Sequence, residues 1–303
     1  MFADFQTTQI DTVFVRSSGS GPPLLLLHGF PETHLMWRDV APRLTQDFTV
    51  VCADLPGYGQ SGCPKSTPDH KPYSKRAMAQ QLVTVMNRLG FDRFSVAGHD
   101  RGGRVAYRMA LDHPARVDRL AVLDVLPVDM VWERADERFA LNFWPWSLLA
   151  QPEPLPERIL TAVPEAIIDN ALGGWGTPST VFPPEVRAAY VESLRDYDHA
   201  HAICEEYRAG ATIDRDHDKE DVVNGQRIEC PVLVLWSEEG ALGSWYASEG
   251  GPLALWRTMV KEVTDVRPGQ GPAVQGHGLK AGHFFPEESP EETATTLICF
   301  FKG

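Results

Sequence analysis

The 303-residue chain has no surplus of positive charge: 28 Lys and Arg face 41 Asp and Glu, a formal net charge of −13 with histidine neutral. A chain of that sign lacks the basic footprint on which phosphate backbones bind, so no nucleic-acid partner is expected. It also has no apolar run approaching the roughly 18 residues that cross a bilayer, so no membrane span is expected. The opening MFADFQTTQIDT lacks a basic stretch followed by an apolar one, and nothing in it reads as a signal peptide. Cysteine is scarce. Cys52, Cys63, Cys204, Cys230 and Cys299 are scattered, odd in number and contain no CxxC pair. That argues against a disulfide scaffold or a zinc site and for a reducing, cytoplasmic setting. Neither a GxGxxG following a strand nor an HExxH is present, so no nucleotide, flavin or metal cofactor is expected. Repeats and low-complexity tracts are missing as well. What remains is ordinary globular composition, 43% hydrophobic and 23% charged, long enough for one large domain carrying an insertion or for two average ones.

Over residues 1–127 short β-rich runs alternate with helical patterns. PLLLLHG (23–29), FTVVCADLPG (48–57), FSVAGHD (94–100) and LAVLDVLP (120–127) are continuous apolar runs of the buried parallel-strand type. Between them, Ala77, Met78, Leu82, Val85 and Leu89 recur at helical spacing, as do Val105, Met109 and Ala110. Strands separated by helices predict an α/β fold: a mostly parallel sheet with helices on both faces. After Pro127 the texture changes, with many prolines, Trp132, Trp144, Trp146 and Trp175, and helical patterns without a buried strand. Strand texture returns at CPVLVLWS (230–237), and SPEETATTLICFF closes the chain as a helix. The expected organisation is a core split into 1–127 and 222–303, with a helical cap over 128–221.

Gly98-His99-Asp100-Arg101-Gly102 has the G-x-Nu-x-G spacing of a nucleophile elbow. A strand that turns abruptly into a helix holds its central residue in strained geometry, and flanking glycines leave room for the close approach. Here the central residue is Asp100, not Ser or Cys. A carboxylate displaces a leaving group from sp³ carbon, so the chemistry expected is alkyl-ester formation and not lipase or peptidase chemistry. The plain alternative is a helix N-cap, a position that Asp favours. The elbow needs partners in the chain order nucleophile, acid, histidine. Asp124, ending the next strand, and His283, before the closing helix, supply them. Their rivals are Glu238 and Glu239 after the strand at 232–236, and His277 in a Gly-rich loop. His28-Gly29-Phe30-Pro31 follows the first core strand, which assigns the oxyanion hole to the backbone amides of Phe30 and Arg101 and leaves His28 a structural role.

Arg101 and Arg104 lie three apart in the first turn after the elbow, where cations oppose the helix dipole by about 0.3–1 kcal/mol each. So placed, they point to a fixed anion: Asp100 itself, or a substrate carboxylate held by charge-assisted hydrogen bonds. The bland alternative is ion pairing with Asp54 or Asp112.

These residues resemble the α/β-hydrolase fold family and within it the haloacetate and fluoroacetate dehalogenases. The similarity runs through LLLLHGFPETHLMW (24–37), ADLPGYGQS (53–61), AGHDRGGRVAYRMALDHP (97–114), LDVLP (123–127), WSLLAQPEPLPE (146–157), CEEYRAGA (204–211) and AGHFFPEE (281–288). The resemblance implies hydrolytic dehalogenation of 2-haloacids to 2-hydroxy acids by Asp100, with Asp124 and His283 completing the triad and Arg101 and Arg104 binding the carboxylate. It also implies a homodimer with a small haloacid and water as its only reactants. In that family cap His, Trp and Tyr side chains hold the departing halide. Trp146 and Tyr207 match two of them, but Pro145 stands where the pattern has histidine, and proline donates no hydrogen bond. That departure bears on fluoride, the leaving group that most needs donors. Trp144 and Trp175 are expected to pack or to shape the pocket, and Tyr190 and Tyr197 to lie on the cap surface or in its core. Two other functions compete. An epoxide hydrolase would use the same Asp100, Asp124 and His283 with two of Tyr190, Tyr197 and Tyr207, although a neutral epoxide gains nothing from the arginines. A binding protein with a vestigial triad would not need all three residues intact.

Overall fold

A computed structural model describes residues 2–261 and 273–303; the stretch 262–272 of the expected second core segment lies outside the described residues. Eight strands form one sheet: β1 (Gln6–Ile10), β2 (Val13–Ser18), β3 (Pro23–Leu27), β4 (Thr49–Ala53), β5 (Phe94–His99), β6 (Val117–Leu123), β7 (Val232–Ser237) and β8 (Val274–Leu279). Their spatial order is β1-β2-β4-β3-β5-β6-β7-β8. The β1–β2 and β2–β4 pairs are antiparallel and every later pair is parallel. Burial on both faces explains the apolar runs: Leu24 to Leu27 on β3 and Leu120 to Leu123 on β6 are fully buried.

The edges of the sheet depart from the sequence expectation. β1, QTTQI, exposes its first four residues and carries no core periodicity. β8, VQGHGL, reads in sequence as a Gly-rich loop around His277; instead it pairs with β7, with His277 opposite Leu235. Backbone pairing with an existing strand suffices to hold an outer strand, so its sequence need not advertise it.

The helices α1 (Ala41–Leu44) and α2 (Lys75–Arg88) precede β5. In α2, Ser74 caps the Ala77 amide, and Met78, Leu82, Val85 and Met86 form the buried stripe. Directly after β5 comes α3 (Asp100–Asp112), five residues earlier than its apolar periodicity begins at Val105. Between β6 and β7 the chain runs through α4 (Val128–Glu133), α5 (Glu137–Asn142), α6 (Trp144–Leu148), α7 (Leu155–Ala162), α8 (Pro164–Gly174), α9 (Pro184–Arg195), α10 (Tyr197–Ala211) and α11 (Ile213–Val223). The remainder is α12 (Ala241–Trp245), α13 (Gly251–Arg257), α14 (Phe285–Glu288) and α15 (Pro290–Lys302). Among the described residues no helix is long and apolar enough to cross a membrane. The parallel strands all end on the same side of the sheet, and Asp100, Asp124 and the segment after Ser237 follow directly from three adjacent ones, the usual crevice position in such sheets.

Candidate active site

Asp100 sits at the β5–α3 corner with φ +44°, a left-handed conformation that costs a non-glycine residue free energy. The surrounding glycines make the corner sterically possible. A Cβ on Gly98 would lie 2.3 Å from the Gly102 carbonyl oxygen, and one on Gly102 would lie 2.4 Å from that of His28. A Cβ on Gly29 would meet the Asp100 side chain at 2.5 Å. The carboxylate does not cap α3. Its Oδ1 accepts the Phe30 amide at 3.0 Å, and its Oδ2 accepts Arg104 Nη1 at 2.9 Å. Burial pushes the Asp100 carboxyl up, but Arg104, His283 and Arg101 together outweigh it and hold the group well below the usual carboxylate range.

Asp124 ends β6, also left-handed at φ +54°. Its Oδ1 accepts the Ser237 amide at 2.9 Å, and its Oδ2 lies 2.6 Å from His283 Nδ1. With the carboxylate ionised, Nδ1–H donates and Nε2 is left as an acceptor. The backbone of His283 is fixed at both ends, its amide donating to the Trp175 carbonyl (2.9 Å) and its carbonyl accepting His99 Nε2 (2.8 Å). Glu238 and Glu239 are exposed, and His277 is held in β8, so the rivals stand apart from this pairing. His28 is fully buried, its Nε2 accepting the Leu55 amide and its Nδ1 facing the Gly29 carbonyl; burial pushes its pKa down to about 4, against the pull of Asp54.

Neither arginine pairs with Asp54 or Asp112, which are engaged instead by His34 and by Arg76 and Arg108. Arg104 binds Asp100. Arg101 is fully buried and binds Glu206, with Nε at 2.7 and 2.9 Å from the two carboxylate oxygens. Glu206 also takes Lys75 Nζ, which reaches Asp214 as well. Burial raises the Glu206 carboxyl, but Arg101 and Lys75 reverse the shift. The Arg101 guanidinium stacks 4.0 Å from the Tyr207 ring, and that of Arg104 lies 4.7 Å from the Trp146 ring. Arg101 Nη1 and Arg104 Nε are buried with no hydrogen-bond partner among the described residues.

A cavity of about 260 Å³ opens above these groups. Asp100, Arg104, Asp124, His283, Pro145, Trp146 and Tyr207 line it, with Trp175, Glu239 and Tyr246; Arg101 and Phe30 lie behind the wall. The Trp175 and His283 rings meet nearly perpendicular with their centroids 5.4 Å apart, whereas Trp144 bonds Asn170 and stays out of the lining. Tyr190 is buried against Glu287, and Tyr197 is exposed and bonded to Glu153. Of the three tyrosines weighed from sequence, only Tyr207 lines the cavity; the second phenol there is Tyr246. Sequence reasoning also missed Glu206. It lies inside the quoted CEEYRAGA segment, but a lone acid on a helix reads as a solvated one until Arg101 is seen against it.

The family model described as alpha/beta hydrolase fold matches residues 22–158. Fluoroacetate dehalogenase of Burkholderia sp is 41% identical over 302 residues, covering 98% of this chain and 94% of that protein. A solved structure from Nostoc sp PCC 7120, assigned to the α/β hydrolases, superposes with a TM-score of 0.92 at 45% identity, covering 99% of both chains. Soluble epoxide hydrolase of Corynebacterium sp. (strain C12) is 29% identical, covering 94% of this chain and 92% of that one. The sheet, the corner at Asp100 and these similarities define a hydrolase of the α/β type. The chain belongs to the α/β-hydrolase fold family and, along nearly its whole length, is similar to fluoroacetate dehalogenase.

Proposed function

We propose that the protein is a haloacetate dehalogenase that hydrolyses 2-haloacids to 2-hydroxy acids through an ester on Asp100. The observation that carries this is the pairing of an ionised, strained Asp100 with Arg104 in a cavity that also holds the His283–Asp124 pair. An incoming carboxylate competes for Arg104 and frees Asp100 Oδ2, while Arg101, the second arginine proposed to bind it, has to turn its unpaired Nη1 toward the cavity from behind the wall. Oδ2 attacks the α-carbon in line as the carbon–halogen bond breaks, and the halide leaves with the electron pair. The Phe30 amide, already on Oδ1, and the Arg101 amide hold the oxyanion when water adds to the ester carbonyl. His283 Nε2 takes the proton of that water, with Asp124 steadying the imidazolium, and the imidazolium returns it to the 2-hydroxy acid oxygen as that oxygen's bond to the Asp100 carboxyl carbon breaks. Trp146 and Tyr207 receive the halide. Helices over 128–221 act as the cap that closes the site. A cytoplasmic location, supported by five free cysteines, and a homodimer complete the proposal.

The test is a single turnover of chloroacetate in ¹⁸O-water with enzyme in excess. Label in Asp100 and an unlabelled first glycolate are expected; label in that glycolate means direct water attack. A second reading, epoxide hydrolysis, is favoured by one observation, the pair of phenols Tyr207 and Tyr246 on the cavity wall. Turnover of styrene oxide without halide release from chloroacetate would establish it instead.

A further inference from the structure

Behind His283 lies a buried cluster that the chemistry above leaves unused. Glu32, His99 and Tyr190 are fully buried, and Glu287 and Arg38 nearly so. Glu287 Oε1 takes Arg38 Nη1 and the Tyr190 hydroxyl of α9. Arg38 also reaches the Val181 carbonyl and the exposed Asp39. Glu32 Oε2 faces His99 Nδ1 at 3.2 Å, and Glu32 Oε1 and Glu287 Oε2 are buried with no hydrogen-bond partner among the described residues, the two carboxyl groups near enough to act on each other's ionisation.

Hydrogen-bond accounting determines where a proton must be. The His283 carbonyl can only accept, so His99 Nε2 carries a proton and donates it. Burial pushes the His99 pKa down against the pull of Asp100, which favours the neutral ring, and on a neutral ring that donates from Nε2 the Nδ1 atom is an acceptor. The group facing Nδ1 must then be a donor, and a carboxylate is none. Charge balance agrees: two carboxyls share one cation, Arg38, and one proton makes the cluster neutral. Glu287 faces the guanidinium, so Glu32 is the protonated member.

We propose that Glu32 and Glu287 form a buried acid pair holding one proton, which Glu32 donates to His99, and that His99 thereby positions the backbone of His283. The proposal rests on the reading of His283 as the base. Burial pushes the Glu32 carboxyl up to about 7 and Glu287 higher than its ordinary value too. Glu32 therefore gives up its proton as pH rises through about 7, and His99 loses its donor there. The charged and titratable groups around it are Arg38, Tyr190, His99, His283 and Asp100.

Glu32→Gln tests the assignment, because an amide N–H mimics the protonated acid and cannot ionise. Its kcat for chloroacetate at pH 6.5 should stay within about threefold of wild type, and its profile should lose the alkaline decline. Glu32→Leu, which offers no donor, should lose about tenfold or more. Equal losses in the two variants, or an unchanged alkaline limb in Glu32→Gln, would overturn the proposal. ¹⁵N NMR of the His99 ring gives a readout free of substrate: Nε2 protonated and Nδ1 bare is expected, and a protonated Nδ1 refutes the acid pair. If the tautomer is as expected while haloacids are not turned over, the acid pair stands and the assigned reaction falls.

Discussion

Removing single side chains separates the two halves of the proposed reaction. His283→Gln keeps Asp100, Arg104 and the Phe30 amide, so the ester should form and then persist. One halide per enzyme should be released, and intact-mass measurement should show one added carboxymethyl group; continued turnover would remove His283 from the role of base. Asp124→Asn leaves His283 in the wrong tautomer, and kcat should fall by about three to four orders of magnitude. Position 145, on the cavity wall, is predicted to set which halide leaves. Pro145→His restores a donor beside Trp146 and should raise fluoride release from fluoroacetate more than chloride release from chloroacetate, followed with ion-selective electrodes. A gain confined to chloride would disprove the account of this position. His28 bears on stability. Its folded pKa of about 4 lies below the unfolded value of 6.5, so the unfolded chain takes up the proton first as pH falls. Stability is complete above pH 6.5 and is lost towards pH 4, by about 3 kcal/mol for this group. Urea midpoints at pH 7 and pH 5 should show the decline, smaller in His28→Asn, which cannot titrate.

The elements that carry chemistry were the ones most legible in the sequence, because chemistry and close packing both demand particular residues. The corner at Asp100 is written in Gly98 and Gly102, each of which meets backbone within 2.4 Å of where a Cβ would sit. Gly98→Ala should therefore cost more than about 3 kcal/mol or prevent folding, since the obstructing atoms are main chain and cannot rotate away. Gly90→Ala is the control: at φ +88° with nothing within 4 Å it carries only the conformational penalty, about 1 kcal/mol. Chemical denaturation of both variants checks the contrast. The buried strands β3 to β7 were equally plain, as apolar runs. What could not be read were elements held by partners distant in sequence. β8 exists because β7 offers it a hydrogen-bonding edge, and Glu206 matters because α3 delivers Arg101 to it from 105 residues away. Tyr246 reaches the cavity through a turn that carries no motif. Residues of this kind look like surface until the topology has been drawn.

At the scale of the whole molecule, the helices between β6 and β7 rest on the core through buried charge as well as through apolar contact. Arg108 of α3 is the centre of this contact: it bonds Asp112 on its own helix and both Asp218 and Asp221 on α11. Asp218 is further tied to the Tyr107 hydroxyl and to the Asp129 amide at the start of α4, so one cluster joins the core helix to the first and last helices of the inserted segment. Burial raises the Asp218 carboxyl against the pull of Arg108. Such a cluster resists removal of one partner more than replacement of the whole, because deleting the cation leaves carboxylates buried and unpaired. Arg108→Met should destabilise the protein by about 3–5 kcal/mol. Arg108→Met combined with Asp218→Asn and Asp221→Asn should recover part of that loss, the signature of an uncompensated charge and not of a lost packing contact. Wild-type unfolding followed by tryptophan fluorescence and by far-ultraviolet circular dichroism should coincide, because helices anchored this way cannot leave the sheet separately. Two separated transitions would mean that the inserted helices unfold on their own and that the Arg108 cluster does not couple them to the core.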